Sequence, residues 1–213
     1  MPEKKPRRSP KSQERQRDAE RTRKQILDAA LVEFGAHGYA GARIAAIASR
    51  AQVNVQLISY YFDGKEGLYQ AVSRHWQERR GELVPPGTPL PEQLRRYALE
   101  ALNNPDGVRL LAWNGLEYTG PSQEPVEGAD GPRSGADEIR ALQAEGRLPA
   151  ELDPACLTIA LMAAAMAPTT LPHMIDATCG TDPRSAEFVR HYADQIALLA
   201  RLLGLDPDER PPS

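Results

Sequence analysis

The side chains best suited to chemistry stand close together in the first third of the chain. Val55, Gln56, Ser59, Tyr60 and Tyr61 offer a short apolar group, an amide and three hydroxyls within seven residues. A Gln side chain can bond the N6 and N7 atoms of one adenine, and a Val methyl can contact the methyl group of thymine. Such a set on an exposed helix suits the major groove of DNA. An ordinary polar surface helix is the alternative.

Two short predicted helices position these side chains. An apolar stripe from Ile44 to Ala51, spaced i, i+3, i+4 and i+7, predicts the first helix. After a short interruption, Asn54 is a preferred N-cap residue, and the second helix is expected to run from there to about Tyr61. Two helices joined by a tight turn are typical of a helix-turn-helix.

The same region resembles a known family. Its landmarks, in order, are Ile47-Ala48, Val53-Asn54, Tyr60-Tyr61-Phe62 and Lys65-Glu66. Within residues 26–68 this ordered set is similar to the N-terminal domain of TetR-type (tetracycline-repressor-like) transcriptional regulators. The resemblance implies an all-α homodimer that binds double-stranded DNA. Each subunit would have an N-terminal three-helix helix-turn-helix domain and a C-terminal helical domain for ligand binding and dimerisation.

The resemblance also implies roles for individual residues. Val55 and Gln56 occupy base-reading positions. The positions that contact phosphates are those of Arg43, Asn54, Tyr60, Tyr61 and Lys65. Together with Ser59 on the second helix, these residues form the expected DNA-binding surface.

Three positions depart from the family pattern. Gln52 stands where the family usually has a turn glycine, so a residue with a Cβ atom is expected at positive φ. Arg43 replaces the usual Thr or Ser near the start of the first of the two short helices. Ala45 lies where some members place a base-reading side chain. These departures bear on which DNA sequence is recognised and leave the fold prediction unchanged.

Composition narrows the class of protein. The chain of 213 residues is 41% hydrophobic and 26% charged, as is typical of a soluble globular protein. No apolar run approaches the roughly 20 residues that cross a bilayer, and no apolar signal segment follows the basic start, so no membrane partner is expected. Cys156 and Cys179 are expected to be buried, inert thiols, and a cytoplasmic location is favoured over a disulfide scaffold.

Charge is divided unevenly along the chain. Residues 1–82 carry 16 Lys and Arg against 10 Asp and Glu, whereas residues 83–213 carry 10 against 19. The positive excess therefore coincides with the predicted DNA-binding unit. Residues 1–17 lack an apolar period and are expected to form a disordered basic arm. That arm would either lie on DNA or act as a solubilising tail.

The remaining organisation follows from helix starts and stops. The helix-turn-helix domain is expected over residues 18–64, beginning with a helix that ends at Gly38. A connecting helix over residues 65–83 would, by analogy with the family, transmit effector binding to DNA. A proline-rich linker then opens the effector-binding and dimerisation domain, residues 84–213.

Three helix starts are predicted beyond residue 119 in the C-terminal domain. Asp153-Pro154 and Asp182-Pro183 each combine an N-cap with Pro at the first helical position. Ser134 and Asp137 resemble a capping box, preceded by a flexible loop over residues 119–133. The last helix is apolar on more than one face, which predicts two neighbours. The resemblance supplies the second neighbour as a helix of the symmetry mate, and the alternative is a monomer that covers both faces itself.

A small-molecule effector of unknown identity is the other implied partner. The aromatic and methionine side chains expected to line its cavity are Trp76, Tyr97, Trp113, Tyr118, Met162 and Met166. The alternative is that these residues are ordinary core.

No catalytic group, cofactor or metal site is predicted. His37, His75, His173 and His191 share no metal-binding spacing with the cysteines. The sequence contains no phosphate-binding glycine loop, nucleophile elbow or HExxH helix, so an enzyme is not expected. The favoured hypothesis is a ligand-responsive regulator, most consistent with a repressor, that binds a palindromic operator as a homodimer. The alternative is a helical small-molecule-binding protein or minor enzyme without specific DNA binding.

Overall fold

All regular elements in the computed structural model are α-helices within residues 12–117 and 130–206, the residues that the structure describes. They are α1 (Ser12–Gly41), α2 (Ile44–Ala51), α3 (Val55–Phe62), α4 (Gly64–Leu83), α5 (Leu90–Asn103), α6 (Pro105–Leu116), α7 (Asp130–Ala144), α8 (Pro154–Ala165), α9 (Ala167–Thr170), α10 (Pro172–Cys179) and α11 (Ala186–Leu202). The predicted all-α fold class is confirmed. The chain forms an N-terminal unit, Met1–Ser73, and a C-terminal unit, Arg74–Ser213, with α4 contributing to both.

The long helix α1 supports the N-terminal unit. Ile26, Ala30 and Phe34 are fully buried along one face. Gly38 interrupts the helix with φ 66 and ψ −178, a backbone conformation that residues with a side chain rarely adopt. The helix is interrupted where its end was predicted, but it resumes after Gly38 and α1 ends at Gly41.

The start of α1 differs from the prediction. Residues 12–17 are helical, although they were expected to belong to the disordered arm; residues 1–11 lie outside the described part of the chain. The extension has a local cause, because Gln, Glu and Arg favour helix without needing an apolar face. Ion pairs at helical spacing follow directly, with Asp18 and Arg21 3.3 Å apart and Lys24 and Asp28 3.2 Å apart.

The beginning of α4 packs tightly against the elements before it. The rings of Phe34 and Tyr39 each lie edge to face with the ring of Tyr69, at centroid distances of 5.0 Å. Gly67 passes so close to the end of α3 that a Cβ atom there would lie 1.9 Å from the carbonyl oxygen of Phe62. Only glycine permits this approach without a backbone shift.

The core of the C-terminal unit is formed mainly by α5, α7, α8 and α11. Its buried members are Leu90, Leu94, Ile139, Leu142, Leu148, Leu161, Ala165, Ile196, Ala200 and Leu205. Arg95 of α5 pairs with Asp194 of α11 at 2.7 Å, which joins the two helices at the surface. None of the helices within the described ranges is long and apolar enough to cross a bilayer.

One of the two Asp-Pro helix starts is wrong. The Asp153 carboxylate accepts a hydrogen bond from the Cys156 amide at 2.7 Å and caps α8, as predicted. The Asp182 carboxylate instead accepts from the Arg184 amide at 2.9 Å within a turn. The last helix begins only at Ala186, where the hydroxyl of Ser185 accepts from the Phe188 amide. The Ser185 amide also donates to the Asp182 carbonyl at 3.0 Å, which closes this turn before the helix begins.

The capping box at Ser134 is also wrong. The helix α7 begins at Asp130, so residues 130–133 are helical and not part of a loop. The rest of the predicted loop, residues 119–129, lies outside the described part of the chain. Ala136, Ile139 and Leu142 are buried on the inner face of α7.

Candidate nucleic-acid interface

The turn between α2 and α3 is closed by its own backbone. Gln52 adopts the left-handed conformation, with φ 55 and ψ 39. The amide of Gln52 donates to the carbonyl of Ser49 at 3.2 Å, and the amide of Val53 donates to the carbonyl of Ala48 at 3.0 Å. This pair of bonds is a Schellman motif. The predicted positive φ at Gln52 is confirmed.

The helix α3 is fixed at both ends and along one face. The side-chain oxygen of Asn54 accepts a hydrogen bond from the Gln56 amide at 3.0 Å, which confirms Asn54 as the N-cap. At the other end Asp63 is left-handed, and its amide donates to the carbonyl of Ser59. Ile58 and Phe62 are buried against the core of the N-terminal unit.

The face of α3 turned away from the core carries the predicted groups. Gln56 and Ser59 are exposed, Val55 is 43% exposed and Tyr60 is 79% exposed. Tyr61 is half-buried and lies edge to face with Tyr60, at a centroid distance of 5.1 Å. The structure therefore brings an apolar group, an amide and hydroxyls onto one accessible helix face.

Arg43 lies at the N-terminus of α2, where its side chain is exposed and makes no capping bond. Its backbone amide instead donates to the carboxylate of Glu33 at 3.1 Å. Glu33 is buried, at 7% exposure, beside the positive end of the α2 dipole. Sequence reasoning missed Glu33. The available indication was an acidic residue next to Phe34 on the apolar side of α1.

Lys65 is held where α1 ends and α4 begins. Its ammonium donates to the carbonyl of Ala40 at 3.4 Å and lies 4.8 Å from the ring centroid of Tyr39. The hydroxyl of Tyr39 bonds the Glu66 carboxylate, which raises the pKa of Tyr39. The Lys65 side chain is therefore half-buried and anchored.

Two further cations flank these helices. Arg23 of α1 places its guanidinium 5.3 Å from the ring centroid of Phe62, at the end of α3. Arg50 is exposed in the last turn of α2. With Arg43, they give the surface around α3 positive charge that suits a phosphate backbone.

Comparison with known proteins agrees with this geometry. Residues 26–72 match the model for bacterial regulatory proteins of the tetR family. Residues 90–197, half of the chain, match the model for the tetracyclin repressor-like C-terminal domain. The chain belongs to the TetR family. Membership makes it a helix-turn-helix transcriptional regulator by family.

Individual relatives of this TetR-family protein match over limited lengths. It is 36% identical to the HTH-type transcriptional repressor SCO4008 of Streptomyces coelicolor over 115 residues, 52% of this chain and 58% of that one. It is 42% identical to the regulator BetI of Paraburkholderia phytofirmans over 53 residues, 25% of this chain and 27% of that one. The alignments thus span little more than half of one relative and about a quarter of the other.

A solved structure extends the similarity across both units. The S. coelicolor protein SCO4942 superimposes with a TM-score of 0.68 at 26% sequence identity, covering 88% of this chain and 99% of that one. The fold of the TetR-family chain is therefore shared over nearly its whole length.

The residues predicted to line an effector cavity have different surroundings. Tyr97 and Met162 pack against the main core of the C-terminal unit. Trp76 is buried against Gly107 of α6, where a Cβ atom would lie 2.7 Å from its ring. Trp113 and Met166 are half-buried, on α6 and just after α8. Tyr118 lies outside the described residues.

The cysteines of this TetR-family chain differ from the prediction. Both Cys156 and Cys179 are exposed. Cys156 lies on the outer face of α8, and the neighbouring Asp153 raises the pKa of Cys156 and so disfavours the thiolate. Within the described ranges, no group of three or more His, Cys, Asp and Glu side chains could hold a metal ion.

Proposed function

We propose that this protein is a ligand-responsive transcriptional repressor that binds a palindromic operator as a homodimer, with α3 in the major groove. The observation that carries the proposal is the outward face of α3. Val55, Gln56 and Ser59 are accessible there, on a helix whose ends are fixed by Asn54 and Asp63. The similar protein SCO4008 is named a repressor, which supports repression over activation.

The exposed groups match the chemistry of base edges and phosphates. Gln56 can bond adenine N6 and N7 together, and Val55 can contact a thymine methyl. Asn54 uses its side-chain oxygen to cap α3, so its NH₂ group remains as the donor for a phosphate. Arg43, Tyr60, Tyr61 and Lys65 would contact the backbone, fixing the register of α3 without reading sequence.

The homodimer is supported by an apolar surface on the C-terminal unit. Leu202 of α11 is 77% exposed and Ile159 of α8 is 67% exposed. Leu198, Leu199 and Leu203 extend the surface along α11. Exposed apolar side chains in such numbers mark an interaction site. Two-fold pairing of the same surface would bury them, and it would present two copies of α3 to half-sites about 34–36 Å apart.

Selection of binding sites from random DNA duplexes tests the DNA-binding proposal. We expect an enriched palindrome for the native protein and relaxed base preference for Gln56→Ala. Gln70→Ala is the matched control, because Gln70 is an exposed amide on α4 that is bonded to Glu66. Salt-dependent binding without sequence preference would refute the proposal and favour the small-molecule-binding alternative.

A salt titration on the selected duplex tests the phosphate contacts. Lys65→Ala should weaken binding to all DNA sequences alike and reduce the slope of log affinity against log salt concentration by about one. Lys24→Ala is the control, because the Lys24 ammonium is already paired with Asp28 at 3.2 Å. Equal slopes for Lys65→Ala and the native protein would show that Lys65 makes no phosphate contact.

Sedimentation equilibrium tests the dimer. Leu202→Glu and Ile159→Glu should each give monomers, because a buried charge without a partner opposes pairing. Leu116→Glu alters an equally exposed leucine on α6, at 78% exposure, and should leave the dimer intact. A dimer that tolerates both substitutions on α8 and α11 would place the interface elsewhere.

A further inference from the structure

Two buried polar atoms in the C-terminal unit have no hydrogen-bond partner among the residues that the structure describes. They are Nε1 of Trp76 and Oε2 of Glu100. Trp76 is 6% exposed and Glu100 is 2% exposed, so bulk water does not supply the missing hydrogen bonds. Buried donors and acceptors are satisfied in the great majority of cases, and each exception asks for a cause.

Both atoms lie at the junction of α4, α5 and α6. Trp76 and Arg79 are three residues apart and share one face of α4. Arg79 reaches towards Glu100 of α5, with its Nε 3.7 Å from the unpartnered Oε2. The six-membered ring of Trp76 lies against Gly107 of α6, so the ring edge that carries Nε1 faces away from α6.

Arg79 compensates the buried carboxylate only in part. The Arg79 side chain is 47% exposed and the Glu100 side chain 3% exposed, so the cation approaches from the solvent. A contact of 3.7 Å is too long for a hydrogen bond. Burial raises the pKa of Glu100, and this outweighs the lowering that Arg79 and a hydrogen bond with the Asn103 side chain cause. A better-placed cation would therefore bind Glu100 more favourably than Arg79 does.

We infer that Glu100 anchors a small organic molecule that carries a protonated nitrogen, and that Arg79 occupies the carboxylate when this ligand is absent. The inference rests on the proposed function, since such a molecule would be the effector. An ionised carboxylate only accepts hydrogen bonds, so its ligand must donate. Trp76 Nε1–H only donates, so a ligand that also reaches Trp76 would need an acceptor. Amines, amidines and guanidines meet the first requirement, and those that also bear a neighbouring oxygen or ring nitrogen would meet the second.

Three probes of one shape and different charge test the inference. Benzamidine is cationic, benzamide is neutral and benzoate is anionic. In a Trp113→Phe background, Trp76 is the sole tryptophan and its fluorescence reports on the junction. We expect saturable binding of benzamidine, with benzamide and benzoate weaker by roughly tenfold or more, since hydrogen bonds to charged groups are the strong ones.

Two variants separate an anchoring role from a structural one. Glu100→Gln keeps the shape of the side chain and should weaken benzamidine binding by roughly tenfold or more. Arg79→Ala should strengthen binding, because it removes the competing cation from an exposed position where folding is tolerant. A merely structural pair predicts no gain in affinity from Arg79→Ala. Arg95→Ala, which removes the partner of Asp194, is the control and should leave the affinity unchanged.

The inference fails if the three probes bind alike, if no probe saturates at millimolar concentration, or if Arg79→Ala weakens benzamidine binding. Site selection on the same variants separates the two proposals. An enriched palindrome without benzamidine binding refutes only the role of Glu100. Benzamidine binding without an enriched palindrome refutes the DNA-binding function and leaves the cation site standing.

Discussion

Replacing Gln52 by glycine should stabilise the N-terminal unit. Gln52 holds φ 55 and ψ 39 at the end of α2, a conformation that costs a residue with a Cβ atom about 1–2 kcal/mol. Glycine removes that strain but gains freedom in the unfolded chain, which offsets about 0.4–1 kcal/mol. The two turn bonds use backbone amides alone and survive the change. The net gain in unfolding free energy is about 0.8 kcal/mol.

This gain can be measured by thermal unfolding of the full chain. A change of that size raises Tm by about 3–6 °C if the N-terminal unit melts separately, and by about half as much if the whole chain melts together. Gln52→Ala is the matched control, because it keeps the Cβ atom and therefore the strain. A Tm of Gln52→Gly at or below that of the native protein, or an equal rise in the Tm of Gln52→Ala, would refute the strain assigned to Gln52.

Two other substitutions test close packing and buried charge. Gly67→Ala should lower the unfolding free energy by about 1–3 kcal/mol, because its Cβ would meet the Phe62 carbonyl. Gly81→Ala on the same helix has open space around the added Cβ and should raise the unfolding free energy by about 0.5–1 kcal/mol. Chemical denaturation measures both changes. Glu138→Gln should raise Tm near neutral pH. Burial raises the pKa of Glu138 despite the hydrogen bond from the Leu90 amide, so the ionised native carboxylate destabilises the fold as pH rises. The difference in Tm should vanish below the ordinary pKa of 4.5, and a difference that grew towards acid would contradict the sign.

The geometry around α3 was predictable because its determinants are local. Asn54 caps the amide two residues ahead, and Gln52 closes bonds to carbonyls three to four residues back along α2. Such interactions form within a single turn of chain and are visible as residue type and spacing. The exposed face of α3 followed from the same pattern, since Ile58 and Phe62 fix which side is buried.

Interactions between distant residues were not predictable in this way. Glu33 reaches the amide of Arg43 across ten residues, and only the fold shows that its carboxylate is buried. Glu100 sits on a helix with other charged residues, and only the fold shows that it is buried. Ser185 and Asp182 are both good N-cap residues, and packing of Val189 in the core decides between them. Packing against other helices therefore decides between helix starts that look equally good in the sequence.

The atoms that build the interface and the atoms that would read DNA are largely separate. Within the described N-terminal unit, the turn is closed by backbone amides, the start of α2 by the Glu33 carboxylate, and α3 by Ile58 and Phe62. The side chains of Val55 and Gln56 take no part in these contacts. Substitution at the outer face of α3 can therefore change the preferred sequence without a cost in stability. Arg43 likewise takes no part in capping with its side chain, and Glu33 of α1 accepts a hydrogen bond from its backbone amide.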